Sequence, residues 1–215
     1  MNSSEAPGPL GPMPIDQFLD LLASSNPTPG GGGIAALTGA TAAGLISMVC
    51  NLTIGKSKYS GVEAEVKALL GQSERLRTRL HQLVDEDAGA YSRVMDAFKL
   101  PKSTAVEKAA RSARIQEATV EASRVPLEIA IECARVVDLA EPAARLTNVQ
   151  AIGDVAMAAY LAEGALRGAV INIDINLRSI KDREAVKSLL DEAKALEEGL
   201  HEKVQAIIQE GMSRL

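Results

Sequence analysis

The sequence predicts an all-α protein: an up-and-down bundle of long antiparallel helices around a buried helix rich in alanine and glycine. Aromatic residues make up only 2% of the chain and tryptophan is absent, so aliphatic side chains must build the core. Such residues favour close-packed helices over strands. Apolar residues recur at helical spacing, and no alternating pattern of useful length occurs, although residues 170–177 imitate a strand locally.

The first half of the chain predicts three helices. Apolar residues on one helical face indicate a short helix over residues 14–23, and an uncharged run indicates the buried helix over residues 34–54. Gly55 is a typical stop for that helix. A longer periodic segment covers residues 62–99 and ends there, because Pro101 disfavours helical backbone at the residue before it.

The second half predicts further helices. Thr104 has the spacing of a capping box with the glutamate three residues later, so it opens the next helix. Pro126 lies inside this helical pattern and predicts a kink or a short break near Arg124. An alanine-rich helix follows, and Asp182 then caps one charged last helix that runs to about residue 213.

Length and composition predict one domain. The chain of 215 residues can bury one full core, and it shows neither an internal repeat nor a second domain boundary. Residues 1–13 are rich in proline and glycine and lack the pattern of a signal peptide, which predicts a disordered N-terminal tail. Residues 14–215 are predicted to form a single helical domain.

The net charge and the cysteines indicate which partners and which cellular location to expect. The net charge of −5 argues against nucleic acid and acidic membranes as partners. Cys50 and Cys133 have no CxxC spacing, which indicates two reduced, buried thiols in a cytoplasmic protein. The run over residues 34–54 is long enough to span a membrane, but its hydroxyl, amide and small side chains favour a helix surrounded by protein.

The sharpest local signal is the segment PTPGGGG over residues 27–33, called the glycine turn below. The start of the helix after it would offer unpaired backbone N–H groups to an anion or a polarised oxygen. Ile-Ala follows the glycines and no strand precedes them, so the segment is neither a P-loop nor a dinucleotide fingerprint. A tight helix–helix turn is the alternative, but four glycines beside two prolines favour a backbone that a ligand approaches closely.

Two carboxylates are predicted to face inward. Asp87 lies four residues before Tyr91, so it leans towards the apolar side of its helix, where a carboxylate needs a partner or a ligand. Asp154 is the only charged residue within 146–162. A first-turn acid that faces the helix dipole is the structural alternative for Asp154 and is compatible with function.

Other polar residues have a functional and an ordinary interpretation. Asn51 could line a site in the buried helix or satisfy a neighbouring carbonyl. Lys99 and Lys102 flank a Leu-Pro turn, where they could hold a carboxylate or remain solvated. His81 and His201 lie on polar helical faces without metal-ligand spacing, and we predict no metal site.

Four segments occur in order: PTPGGGGIAAL, SMVCNLTIGKSKY, DAFKLPKST and NVQAIGD. Together they resemble the cyclodeaminase/cyclohydrolase family of folate enzymes, and the likeness covers nearly the whole chain from Ile15 onwards. The resemblance implies an all-helical homodimer that binds folate near the glycine turn. It further implies hydrolysis of 5,10-methenyltetrahydrofolate to 10-formyltetrahydrofolate, with no cofactor beyond the folate substrate.

Two departures from the family pattern keep alternatives open. Relatives on the cyclodeaminase side often have serine where Gly33 stands, and relatives often read Asn-x-x-Ser-Asp where this chain has Gln150, Gly153 and Asp154. The first alternative is a formimidoyltetrahydrofolate cyclodeaminase that releases ammonia. The second is a non-catalytic folate-binding dimer.

The resemblance also suggests roles for residues. The methenyl group is a cationic amidinium, so an inward carboxylate would attract it and act as base for the attacking water. The glycine turn would supply N–H donors to the developing oxygen, and a lysine would hold the glutamyl carboxylate. The predicted catalytic residues are Asp87 and Asp154, and the predicted substrate-binding residues are Thr28, Pro29, Gly30, Gly31, Gly32, Gly33, Asn51, Lys99, Lys102 and Asn148.

Overall fold

A computed structural model describes residues 8–215. The helices are α1 Ile15–Leu22, α2 Gly31–Asn51, α3 Glu63–Lys99, α4 Ala105–Leu146, α5 Ile152–Leu177, α6 Arg183–Glu197 and α7 Leu200–Met212. Two short 3₁₀ turns, Ser57–Val62 and Val149–Ala151, join the long helices. Residues 8–215 contain no β-strand, which confirms the predicted all-α fold.

Helix α2 is the centre of the bundle, as predicted, and packs against α3, α4 and α5. Its alanine and isoleucine side chains have no exposed surface at Ala36, Ala43 and Ile46. Small side chains let neighbouring helices approach closely, which explains why so few large residues are needed. By length and composition alone α2 could cross a membrane, but most of its apolar window is buried inside the protein.

Contacts between helix ends establish the antiparallel arrangement. The start of α2 lies beside the later part of α3, because Gly32 abuts Asp87, and beside the end of α5, because Gly31 abuts Asn172. At the far end of the bundle the Thr53 hydroxyl accepts a hydrogen bond from the backbone of Asn148 at 2.8 Å. Helix α2 therefore runs opposite to both α3 and α5.

The helices differ from the prediction at several points. Helix α2 begins at Gly31 rather than at residue 34, so three glycines form its first turn. Helix α4 continues through Pro126, so of the predicted kink or short break the break does not occur. The single predicted last helix is two helices, because Gly199 adopts a φ of 67° that interrupts the helical path between α6 and α7.

The predicted caps are confirmed. Thr104 and Glu107 form a complete capping box at the start of α4, in which each side chain receives a backbone N–H of the other residue. The Asp182 carboxylate accepts from the backbone of Glu184 and Ala185 at the start of α6. Both caps satisfy backbone groups that a helix start leaves without partners.

Residues 8–13, which belong to the N-terminal tail predicted for residues 1–13, pack against α3. Leu10 is 3% exposed, and its N–H donates to the Asp85 carboxylate at 2.5 Å. The Gly11 carbonyl contacts the His81 ring at 2.9 Å. A buried leucine and its paired backbone give this segment fixed contacts, whereas residues 1–7 of the predicted tail lie outside the described residues.

Candidate functional site

A cavity of about 340 Å³ lies at the start of α2, between α3, α4 and the end of α5. This volume is at the lower end of the range of small-molecule sites. The residues that line it are Pro27, Thr28, Gly30, Gly31, Gly32, Asp87, Ala90, Tyr91, Val94, Phe98, Ile115, Thr119, Ala122, Pro126, Asn172, Asn176 and Ser179.

Asp87 provides the charge of this cavity. It comes from the middle of α3 and faces the first turn of α2, and it is the only charged residue among the described residues that line the cavity. Burial raises the pKa of the Asp87 carboxyl, and the backbone N–H of Gly33 opposes this by donating to the charged form. The structure therefore places one inward carboxylate where the sequence predicted one.

The first turn of α2 presents backbone donors to the same space. The helical ladder begins with the Ile34 N–H, which donates to the Gly30 carbonyl at 3.0 Å, so the amides of Gly31 and Gly32 precede the ladder. The N-cap residue Gly30 has no side chain to cap this helix start, and the Asp87 carboxylate accepts the Gly33 N–H instead. A cis peptide bond joins Thr28 to Pro29 just before it. The glycine turn thus brings backbone N–H groups and a positive dipole end to the cavity wall.

Aromatic side chains line the outer part of the cavity, and one arginine packs on the last of them. Tyr91 and Phe98 from the second half of α3 line it and remain 38% and 46% exposed. The Arg111 guanidinium lies 5.4 Å from the centre of the Phe98 ring and donates to the Phe98 carbonyl at 3.0 and 3.1 Å. This places a fixed cation beside the aromatic edge of the cavity.

Two asparagines and a proline were missed by sequence reasoning. Asn172 and Asn176 line the cavity from the end of α5, within the segment that imitates a strand. The sequence does contain a pattern that indicates them: two asparagines four residues apart in a largely apolar helix lie on the same face. Pro126 also borders the cavity, and because it has no N–H, the Ala122 carbonyl beside it lacks its usual intrahelical donor.

The predicted residues of the glycine turn divide into two groups. Thr28, Gly30, Gly31 and Gly32 line the cavity with Asp87. Pro29 is buried and packs behind the turn, where a Cβ on Gly33 would meet its side chain at 3.8 Å. Pro29 and Gly33 therefore shape the turn without lining the cavity.

Three predicted site residues lie at the opposite end of the bundle. Asn51 is exposed at the end of α2, and Asp154 is half-buried in the first turn of α5. Asn148 is buried, and its side chain accepts from the Tyr59 hydroxyl at 3.4 Å. Asp154 and Asn172 are separated by 18 residues of α5, or about 27 Å along its axis. One chain therefore does not bring Asp154 to the cavity.

The two predicted lysines are exposed and do not line the cavity. Lys99 pairs with Asp96 at 2.9 Å on the surface of α3. Lys102 lies in the turn between α3 and α4. Among the basic residues near the cavity, Arg111 has the better-defined position.

Within the described part of the chain, the cysteines and the potential metal ligands form neither a metal site nor a reactive-thiol site. Residues 8–215 contain no cluster of three histidine, cysteine or acidic side chains that could hold a metal ion. Cys50 and Cys133 are buried free thiols, and burial raises their pKa values to about 11 and about 12. Thiols with such pKa values stay protonated and packed in the core.

Comparison with known proteins places this geometry in a family. The family described as formiminotransferase-cyclodeaminase matches residues 14–195. This chain belongs to that family. A member from Methylorubrum extorquens, named methenyltetrahydrofolate cyclohydrolase, is 47% identical over 199 residues, which cover 89% of this chain and 96% of that protein.

Other members of the formiminotransferase-cyclodeaminase family carry the second activity name. The formimidoyltransferase-cyclodeaminase of Sus scrofa is 34% identical over 84% of this chain, but the match covers only 35% of that longer protein. The crystal structure of the formiminotetrahydrofolate cyclodeaminase from Thermotoga maritima superposes with a TM-score of 0.79 at 29% identity, over 92% of this chain and 96% of that one. The family fold is therefore shared along almost the whole chain.

Proposed function

We propose that this family member is a methenyltetrahydrofolate cyclohydrolase, which hydrolyses 5,10-methenyltetrahydrofolate to 10-formyltetrahydrofolate. The relative that carries this name matches along almost its full length. The observation that supports the chemistry is the position of Asp87, a lone carboxylate that lies against the start of α2 at the cavity wall. This hydrolysis needs a negative group that binds the cationic substrate. It also needs hydrogen-bond donors for the oxygen that gains negative charge during the reaction.

Asp87 would bind the cationic substrate and accept a proton from the attacking water. The methenyl bridge between N5 and N10 is a cationic amidinium, and a carboxylate in a partly desolvated cavity attracts it strongly. Water attacks the bridging carbon while Asp87 accepts one of its protons. The C–N5 bond then breaks, N5 takes a proton, and the carbon remains on N10 as a formyl group. One water is consumed and one proton is released in the net reaction.

The start of α2 would stabilise the oxygen that arises from the attacking water. This oxygen becomes the formyl carbonyl and carries partial negative charge as the C–N5 bond breaks. Backbone amides of Gly31 and Gly32, together with the helix dipole, are donors that need no reorganisation. Donors of this kind favour the reacting state over the bound substrate, which is the condition for catalysis.

The outer cavity would hold the remainder of the folate. Tyr91 and Phe98 offer ring faces to the benzoyl group, and Asn172 and Asn176 offer amides to the polar pterin ring. We assign the glutamyl carboxylate to Arg111, because its position is fixed by the Phe98 carbonyl. Lys99 and Lys102 are the earlier alternatives for the same contact.

We further propose that the protein is cytoplasmic, acts as a homodimer, needs no metal or cofactor, and has neither nucleic acid nor membrane as partner. The acidic net charge of −5 and the buried free thiols support the location and the excluded partners.

The second candidate is a formimidoyltetrahydrofolate cyclodeaminase. The structural match to the Thermotoga maritima protein of that name and the sequence match to the Sus scrofa protein support it. Gly33 stands where the cyclodeaminase side often has serine, which favours the cyclohydrolase. A non-catalytic folate-binding dimer is the third candidate.

One pair of assays separates these candidates. Purified protein is mixed with 5,10-methenyltetrahydrofolate, and loss of the methenyl absorbance is compared with the spontaneous rate in the same buffer. We expect a clear acceleration, and an unchanged rate would reject the cyclohydrolase. Ammonia release from 5-formimidoyltetrahydrofolate would instead identify the cyclodeaminase. Saturable folate binding with neither activity would identify the non-catalytic dimer.

A further inference from the structure

The cavity wall that α4 forms contains a gap in the helical hydrogen-bond ladder. Helix α4 keeps its helical path with Pro126 inside it. The Ala122 carbonyl would ordinarily accept the N–H of residue 126, but proline has none. The neighbouring Ser123 hydroxyl donates to the Thr119 carbonyl at 2.9 Å and does not replace it. Among the described residues this leaves the Ala122 carbonyl as an acceptor without its intrahelical donor.

This carbonyl belongs to the side of α4 that faces the cavity. Ile115, Thr119, Ala122 and Pro126 all line the cavity, at spacings of four, three and four residues, so they share one helical face. A helical carbonyl points towards the residue four positions later, so that of Ala122 points towards Pro126. Ala122 is buried, and a buried carbonyl needs a donor from a ligand or a water.

The other polar groups of this wall are acceptors as well. The Thr119 hydroxyl gives its proton to the carbonyl four residues earlier at 2.7 Å, and the Ser179 hydroxyl gives its proton to the carbonyl three residues earlier at 2.9 Å. Nδ2 of Asn172 donates to the carbonyl four residues earlier at 2.8 Å, which leaves its Oδ1 to accept. A wall with these occupied protons is complementary to a ligand edge that carries N–H donors.

The α4 and α5 parts of this wall are held together on both sides of Ala122. On one side, the Gln116 amide donates to the Ser179 carbonyl at 2.9 Å. On the other side, Leu127 belongs to the same buried cluster as Ile173. The Ala122 carbonyl therefore lies beside the end of α5 that carries the two asparagines of the cavity.

One part of a folate has the matching edge. The pyrimidinone ring of the pterin carries a 2-amino group next to N3–H, two donors side by side, whereas the glutamyl end carries carboxylates, which only accept. Buried acceptors select strongly for the ligand that supplies their donors, because a ligand without them leaves the acceptors unpaired.

We propose that Pro126 determines the specificity of the cavity for the pterin ring: by removing one helical N–H it frees the Ala122 carbonyl to accept a hydrogen bond from the 2-amino group. Asn172 Oδ1 is the neighbouring acceptor for the same edge. Pro126 makes no polar contact of its own and acts through Ala122, so it is a positioning residue. The inference deepens the proposed function and rests on it for the identity of the ligand.

Pro126→Ala restores the missing N–H and so closes the ladder onto the Ala122 carbonyl. Calorimetry measures binding of 5-formyltetrahydrofolate and of its analogue with hydrogen in place of the 2-amino group. Wild-type protein should bind the amino ligand at least about fivefold more tightly than the analogue. Pro126→Ala should lose about this factor for the amino ligand and nothing for the analogue. Equal losses for both ligands would assign the effect to packing of the proline ring and overturn the proposal.

Two further variants serve as controls. Pro126→Val restores the same N–H but keeps a branched apolar side chain, so it should reproduce the loss; wild-type affinity in this variant would contradict the proposal. Pro142→Ala removes the other proline inside α4, 16 residues or about 24 Å along the helix from Pro126. It should leave both affinities unchanged. Circular dichroism verifies that the helices are intact in each variant.

Turnover provides a second measurement. The 2-amino group lies at the far end of the pterin from the methenyl bridge, so Pro126→Ala should raise KM at least about fivefold and leave kcat unchanged. A fall in kcat with unchanged KM would overturn the proposal. Wild-type protein that binds both ligands equally would overturn it while the proposed function stands. Wild-type protein that binds neither would reject the proposed function and this inference with it.

Discussion

A Cβ atom built on Gly32 would lie 2.1 Å from Oδ1 of Asp87, far inside van der Waals contact. Gly32 has ordinary helical backbone in the first turn of α2, so the conformational freedom of glycine is not what this position uses. The carboxylate of Asp87 occupies the volume of the missing side chain. Position 32 must therefore be glycine for the Asp87 carboxylate to keep this position, and the carboxylate leaves no room for a side chain on α2.

Gly32→Ala adds only one methyl group, but it should lower both the stability and the activity of the protein. The new methyl group must displace the Asp87 carboxylate, and overpacking of this kind costs about 1–3 kcal/mol of unfolding free energy. We expect a fall in kcat of at least about 100-fold if Asp87 acts as the base. Thermal melting and the methenyl assay measure the two effects.

Gly44→Ala is the control for that substitution. Gly44 lies later in the same helix, and its added Cβ would meet only Arg77 at 3.7 Å, an ordinary contact. Replacement of a mid-helix glycine by alanine should stabilise the protein by about 0.5–1 kcal/mol. Equal loss of activity in both variants would show that the contact with Asp87 is not the cause.

Asp87→Asn should separate activity from stability. Loss of the base should lower kcat by about 100-fold or more. Because burial raises the pKa of Asp87, the native state binds this proton more tightly than the unfolded state. The stability due to Asp87 is therefore largest in acid and is lost as the pH rises through its native pKa. The asparagine variant should melt at a higher temperature than the wild type near neutral pH, and this advantage should disappear in acid.

The pH profile of the wild type follows from the same group. A general base must be ionised, so kcat/KM should fall as the pH drops through the raised pKa of Asp87. The residual rate of Asp87→Asn should lack this acidic limb. An unchanged limb in the variant would assign the titration to another group.

Arg111→Ala should weaken binding of the glutamyl end without changing the chemical step. Loss of one charge-assisted contact costs about 1.5–3 kcal/mol, so we expect KM to rise by about tenfold or more while kcat stays the same. Lys99→Ala and Lys102→Ala are the comparison variants, because both lysines are exposed and are the alternative ligands for this carboxylate. A larger increase in KM in either lysine variant would show that this lysine, and not Arg111, binds the glutamyl carboxylate.

Gly199→Ala should destabilise the protein with no effect on turnover. Gly199 holds a φ of 67° between α6 and α7, where a side chain costs about 1–2 kcal/mol. Gly71→Ala in α3 is the matched control, since Gly71 is helical and its Cβ would make only an ordinary 3.8 Å contact with Arg75. Denaturant midpoints of the two variants should move in opposite directions.

The sequence by itself determined the fold class and most helix positions. An uncharged, alanine-rich run must be surrounded by other helices, and the charged periodic segments around it have one apolar face each, so a bundle around α2 follows from local pattern. The capping residue Thr104 fixed a helix start in the same local way. The division of the last helix at Gly199 was missed, because helical spacing continues on both sides of it.

Only the tertiary structure decided which polar residues share a site. Periodicity states which face of a helix a residue occupies, but it does not state how far along a neighbouring helix that residue lies. Asp87 meets the glycine turn because α3 runs antiparallel to α2, whereas Asp154 lies about 27 Å along α5 from Asn172. Tyr91 and Phe98 line the cavity, and their helical spacing does not reveal this, because residues that line a groove between helices have the same spacing as residues buried beneath it.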